Sequence, residues 1–257
     1  MSWKVRTQSA TVKFGNGNAK LPAGVLTFSL PAGWSCPFAR ACMSKTDRET
    51  GRVQDGPHTE FRCFAASDEQ IRPSVRKARW HNFELLRGLS KKGMVKLLLA
   101  SLSPFAGVVR IHVSGDFFSQ DYFDAWLEVA RQRPNTRFYC YTKALPYWVR
   151  RKAEIPSNLV LTASIGGTHD HLIAEHGLRS ARVVLSEDEA KRLGLALDHD
   201  DSHAMNPGPS FALLIHGMQP AGSPASKAIT MLRRQGEFGY GKKADERRAQ
   251  RVALPVC

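Results

Sequence analysis

Three of the five cysteines fall in one stretch, Cys36 to Cys63, which reads CPFARACMSKTDRETGRVQDGPHTEFRC. The stretch is rich in charge and poor in apolar residues, so it cannot pack a core, and something else must order it. Thiolates are soft ligands, suited to zinc or to an iron–sulfur cluster. In a zinc reading Cys36, Cys42 and Cys63 need a fourth ligand, and His58 stands between the last two. The resulting spacing, Cys-x5-Cys-x15-His-x4-Cys, matches no standard zinc-finger pattern. In the other reading three cysteines hold a [4Fe–4S] cluster and leave one iron open to a small polar molecule. S-adenosylmethionine, with its amino and carboxylate groups, is such a molecule. Cys140 alternates with aromatic residues and reads as buried, while Cys257 is terminal and incidental.

Further polar or permissive residues follow apolar runs: Ser114-Gly115-Asp116, Thr142-Lys143, Ser164 with Gly166-Gly167, and His216-Gly217. Gathered at one rim, they would face the thiolates. Ser114, Gly115, Asp116, Thr142, Ser164 and His216 are the candidate cofactor-binding set, and Asp116 and Lys143 are the catalytic candidates. Asp116 could receive an amino group, or simply end a strand or cap a helix. Lys143 could meet a carboxylate or phosphate, or be a solvated strand end. The groups His169-Asp170-His171 with His176, and His199-Asp200-Asp201 with His203, read as solvated loops, because neither has a ligand spacing on a helix.

The elements that must position these residues alternate. Residues 1–24 form an irregular start with a turn at Gly15-Asn16-Gly17-Asn18. Val25–Leu30 is a strand, and the cysteine loop, 36–63, leaves its end. Helices cover Ser74–Leu89 and Met94–Leu102. Strands follow at Val108–Val113, Arg137–Lys143, Leu159–Ile165, Ala181–Leu185 and Phe211–His216, with helices between them, one capped by Ser119 and one opened by Ser186 with Glu189. Residues 198–210 are a loop, and 237–257 a basic tail. About six short strands alternating with helices make an α/β fold with a mostly parallel sheet, either doubly wound or a barrel. No linker interrupts the 257 residues, so a single domain, 1–257, is expected.

Formal net charge is +14, which favours a nucleic acid or nucleotide partner through counterion release and long-range attraction. The candidate contacts are Arg72, Arg76, Lys77 and Arg79, then Arg150, Arg151 and Lys152, with further basic residues in the tail. No run approaches the roughly 20 apolar residues of a membrane span. The N-terminus lacks an apolar signal segment and the cysteine count is odd, so a reducing cytoplasm is expected rather than a disulfide framework.

Ser29–Gly33 with Cys36-Pro37 and Ala39 to Cys42, His112–Phe118, and Tyr141-Thr142-Lys143 together resemble the phage-encoded gene product 88 family. The strand, Gly-plus-acid turn, helix, strand and Thr-Lys block also resembles radical-SAM-like phage proteins. That resemblance implies a partial (β/α)6 barrel with the cluster loop after the first strand. Ser114-Gly115-Asp116 stands where a Gly-Gly-Glu-like turn would follow the second. Radical SAM enzymes usually carry Cys-x3-Cys-x2-Cys, whereas the gaps here are five and twenty residues. The expectation is an iron–sulfur enzyme acting on a nucleic acid or nucleotide. The alternative is a non-catalytic, zinc-stabilised nucleic-acid-binding protein.

Overall fold

A computed structural model describes residues 11–17, 21 and 24–236. The basic tail, Cys257 and most of the irregular start lie outside the described residues. The chain opens with β1 (Gly15–Asn16) and β2 (Val25–Ser29), and the cysteine segment forms a small ribbon, β3 (Ser44–Thr46) and β4 (Val53–Asp55). Helices α1 (Phe64–Ile71), α2 (Pro73–Arg87) and α3 (Lys91–Ser101) follow. Strands and helices then alternate through β5 (Val108–Ser114), α4 (Gln120–Gln132), β6 (Arg137–Thr142), α5 (Leu145–Arg150), β7 (Leu159–Ser164) and α6 (His171–Glu175). The described part ends with β8 (Ser180–Val184), α7 (Glu187–Arg192), β9 (Ala196–Leu197), α8 (Ser202–Met205), β10 (Phe211–Leu214) and α9 (Pro224–Gln235).

Local chemistry accounts for the boundaries. Pro73 breaks the ladder behind it and begins α2, leaving Arg72 non-helical, with φ −126 and ψ 86, between two helices. Ser119, Ser186 and Ser223 each accept a backbone N–H in the first turn of the helix they precede. Helix α1 starts at Phe64, earlier than the polar run Ser67-Asp68-Glu69 implies. Those three side chains are engaged elsewhere, by Met218, Arg72 and Arg79.

The main sheet runs β1-β2-β5-β6-β7-β8-β10-β9. Among the described strands of this sheet, only β1 is antiparallel to its neighbour. From β2 to β10 the parallel strands succeed one another in chain order without a reversal, whereas a doubly wound sheet reverses at a switch point. The crossover helices pack on one face, apart from α8, whose Ala204 joins the cluster on the other. On the helix-covered face Phe28, Ile111, Phe138 and Cys140 pack with Leu98, Tyr122 and Trp126. On the other face Val25, Tyr139, Val160 and Phe211 form a smaller cluster.

Two local expectations are corrected. Gly15 and Asn16 are not a turn but an edge strand, in register with Thr27 and Leu26, and the positive φ falls on Gly17. Residues 198–210 are not an open loop. They contain α8 and bury Asp198 and Asp201, because a buried guanidinium from β5 requires an acid there.

Candidate metal centre and cavity

Backbone bonding, not apolar packing, orders the cysteine segment. β3 and β4 pair, Cys63 N–H donates to Ser44 Oγ, and Thr46 Oγ1 donates to the Ala66 carbonyl. The segment is also clamped to the turn after β7: Arg40 and Ala41 N–H donate to the Gly166 carbonyl, and Thr168 N–H to that of Phe38. Gly166 has φ +100, and a Cβ there would sit 2.8 Å from the Ala41 Cβ, so the close approach requires glycine. Asp170 braces the same turn by accepting the Gly166 and Gly167 N–H groups, which is its role in place of a solvated loop.

This clamping brings Cys36, Cys42 and Cys63 to the wall of one cavity of about 430 Å³ at the C-terminal ends of the parallel strands. Ser114, Gly115, Asp116, Thr142, Lys143, Ser164 and His216 line the same cavity. All three thiols are free and half-buried. Burial pushes the Cys36 thiol well above its ordinary value, and Asp116, Cys63 and Cys42 add to the rise. Cys63 is pushed up to about 11, first by burial and then by Cys42, with the N–H groups at the start of α1 opposing. The thiols thus feel one another, and a bound cation would offset the repulsion between their deprotonated sulfurs. The donor set suits a soft metal or cluster. Among the described residues, no group of three or more His, Cys, Asp and Glu side chains is already set to hold a metal ion.

His58 is exposed on the turn beyond β4 and is not part of the cavity wall. Asp116 is buried, and its Oδ1 accepts from Phe117 N–H (2.8 Å) and Thr142 Oγ1 (2.6 Å), while Oδ2 accepts from Lys143 N–H (2.7 Å). Burial raises its pKa against these donors. It ties the end of β5 to the end of β6, and Ser119 caps the next helix instead. Lys143 is buried rather than solvated, and its ammonium donates to Ser164 Oγ (2.6 Å) and to the carbonyls of Ser164 and Ile165. Ser114 Oγ donates to Glu69, whose Oε1 also accepts from Ala32 N–H and Arg79. His216 lies just past β10, its ring tilted 38° to that of Phe64 with centroids 4.6 Å apart.

The basic candidates divide. Arg76 and Arg79 are turned inward, holding carbonyls of Arg48, Glu69 and Ala65 and the carboxylates of Asp68 and Glu69. Arg151 is paired with Asp124, and Lys152 donates to the His176 carbonyl. Arg72, which pairs with Asp68, is exposed, as are Lys77 and Arg150.

Sequence reasoning missed the polar cluster on the inner face. Arg110 donates to Asp201 at 2.6 Å, and the Tyr139 and Tyr141 hydroxyls donate to the same carboxylate. An arginine in the middle of an apolar strand, followed in the next strand by tyrosines two residues apart, was the available signal. Glu69 was likewise missed, because an acid at a helix start is ordinary and carries no signal of its own.

A sequence profile of the gene product 88 family matches residues 3–251, and the chain belongs to that family. The Gene 88 protein of Mycobacterium phage L5 is 31% identical over 162 residues, covering 60% of this chain and 58% of its own. That of Mycobacterium phage D29 is 32% identical with the same coverage. The chain thus spans less than two thirds of the length of these curated relatives. No solved structure matches it.

Proposed function

We propose that this member of the gene product 88 family is an iron–sulfur enzyme of radical-SAM-like type, built as a partial (β/α)6 barrel and acting on a nucleic acid or nucleotide. The observation that carries the reading is the shared cavity: three free thiols meet the strand-end residues Ser114 to Asp116, Thr142, Lys143 and Ser164 in one place. Cys36, Cys42 and Cys63 would hold a [4Fe–4S] cluster, which supplies single electrons when bound. The consecutive order of the parallel strands supports the barrel, and their common direction puts their C-terminal ends on one rim.

The chain's own residues do the positioning. Gly115, with φ +84, lets the backbone turn beneath the cysteine segment, and Asp116 fixes that turn to β6. Lys143 and Ser164 present a buried cation with a hydroxyl partner, suited to orienting the carboxylate of S-adenosylmethionine. Phe61, Val183, Leu213 and Ile215 give part of the remaining wall an apolar surface, beside Arg62, Arg72 and Arg110. The net charge of +14 supports a phosphate-bearing substrate. Free thiols suit a reducing compartment, the cytoplasm of a phage host.

Anaerobic purification tests the reading. Iron and acid-labile sulfide are expected, lost in Cys36→Ala and retained in His58→Ala. Reductive cleavage of S-adenosylmethionine is expected to accompany the iron. Zinc without iron or sulfide, with His58→Ala abolishing it, would overturn the proposal in favour of a zinc-stabilised binding protein.

A further inference from the structure

Among the described tryptophans Trp80, Trp126 and Trp148 are buried, whereas Trp34, in the turn between β2 and Cys36, is 45% exposed. A tryptophan ring carries a large apolar surface, and leaving nearly half of one in water calls for a reason. The ring is also fixed in place. Its Nε1–H donates to the Thr46 carbonyl at 3.0 Å, and it packs on Trp80 with centroids 5.6 Å apart and planes tilted by 56°. The fold thus holds an aromatic ring at the surface by its polar edge and by a buried neighbour.

Cations surround this ring. Lys45 Nζ lies 4.7 Å from the Trp34 ring centre, the Arg48 guanidinium 5.1 Å from that of Trp80, and the Arg87 guanidinium 5.6 Å from that of Phe83. Lys77, Trp80, Glu84 and Arg87 follow at steps of three and four residues, and so share one side of α2. Glu84 is occupied by Arg48, with both carboxylate oxygens engaged. Lys45, Lys77 and Arg87 have no carboxylate partner among the described residues. The patch therefore joins an exposed ring to three positive charges that the chain does not balance. An apolar partner would have to bury those charges at a cost, whereas a phosphate chain balances them and releases counterions.

We infer that Trp34 is a stacking platform for a single-stranded nucleic acid, with one unpaired base laid against its ring and the neighbouring phosphates met by Lys45, Lys77 and Arg87. Every base has a flat face that stacks on an aromatic ring, so the contact holds strands with little regard to sequence. A duplex keeps its bases against one another and offers the ring no free face. The platform belongs to the segment that carries the cysteines: Trp34 stands two residues before Cys36, and Lys45 lies between Cys42 and Cys63. The inference rests on the nucleic-acid reading above and narrows it to a strand, and it does not depend on the metal.

The test is a titration of the native protein, at low salt, with a single-stranded DNA or RNA of about 12 nucleotides and with its duplex, read by fluorescence anisotropy. The single strand is expected to bind more tightly than the duplex. Trp34→Ala and Trp34→Leu, the second keeping apolar bulk against Trp80, are each expected to weaken the strand about tenfold. Trp34→Phe is expected to retain most of the affinity. Lys45→Ala and Arg87→Ala are each expected to lower the salt slope by about 0.7. Without any variant, photocrosslinking of a bromouracil-containing strand to the native protein is expected to modify the peptide that carries Trp34. The inference is overturned if the duplex binds as tightly as the strand, or if the crosslink maps elsewhere. Strand binding that is undiminished in Trp34→Leu refutes the platform alone, whereas no strand binding at low salt refutes the nucleic-acid reading with it.

Discussion

Asp116 engages both carboxylate oxygens with fixed donors, so its first task is to hold the rim together. Asp116→Ala leaves two N–H groups and a hydroxyl buried without their acceptor, at roughly 1–3 kcal/mol each. A loss of about 3 kcal/mol or more is expected in guanidinium unfolding, and an unchanged midpoint would show that the donors find other partners. His112 adds a dependence on pH. Burial lowers its pKa to about 3, below the value in an unfolded chain, so between those values the folded state binds fewer protons. Stability is then full above about pH 6.5 and falls as pH drops toward 3, by up to about 1.4 kcal/mol per unit. Glu69 and Asp116, both raised by burial, act in the opposite sense. Unfolding of wild type and His112→Phe at pH 4.5 and 6.5 isolates the imidazole, and the variant is expected to show the smaller acid loss. The cysteines and strand-end residues were legible in the sequence because parallel strands send their C-terminal loops to one rim. The Arg110–Asp201 pair was not, because its partners lie 91 residues apart and no local pattern joins them.

At the scale of elements, the cysteine segment is ordered by glycines that let other backbone come close. At Gly115 a Cβ would stand 2.5 Å from Ser35 Oγ and 2.7 Å from Leu30 Cβ, at φ +84. Gly115→Ala is expected to cost roughly 2–4 kcal/mol through strained backbone and overpacking, and to release bound metal. Gly88→Ala, with nothing within 4 Å and φ −95, is expected to lower neither stability nor metal content. Thermal unfolding and metal analysis of the two variants make the comparison. Strands and most helices were readable from apolar runs and serine caps, which are local signals. The ribbon β3–β4 was not, because Ser44–Thr46 and Val53–Asp55 carry no apolar alternation and are held by contacts with α1.

At the scale of the molecule, the proposed nucleic-acid contact rests on the net charge of +14, which does not say which cations would make it. Lys77→Ala and Arg150→Ala are expected to weaken single-stranded DNA or RNA binding, with unfolding unchanged. Each is expected to reduce the salt slope by about 0.7, the share of one neutralised phosphate on a single strand. Arg76→Ala is expected to do the reverse, lowering the unfolding midpoint, because three backbone carbonyls lose their donor. Binding at several salt concentrations beside thermal unfolding separates the two classes. The strand order has a consequence in time as well as in space. Val108 pairs with Arg137 across 29 residues, but Val25 pairs with Val108 across 83. Closing the longer loop costs about 1 kcal/mol more in chain entropy. The run from β5 onward can therefore assemble first, and β2 arrives late, bringing the cysteines to a rim that already exists. If the cysteines hold the proposed cluster, its loading would be the closing step of folding, and a chain starved of metal is expected to stall with its sheet formed and its cysteine segment undocked.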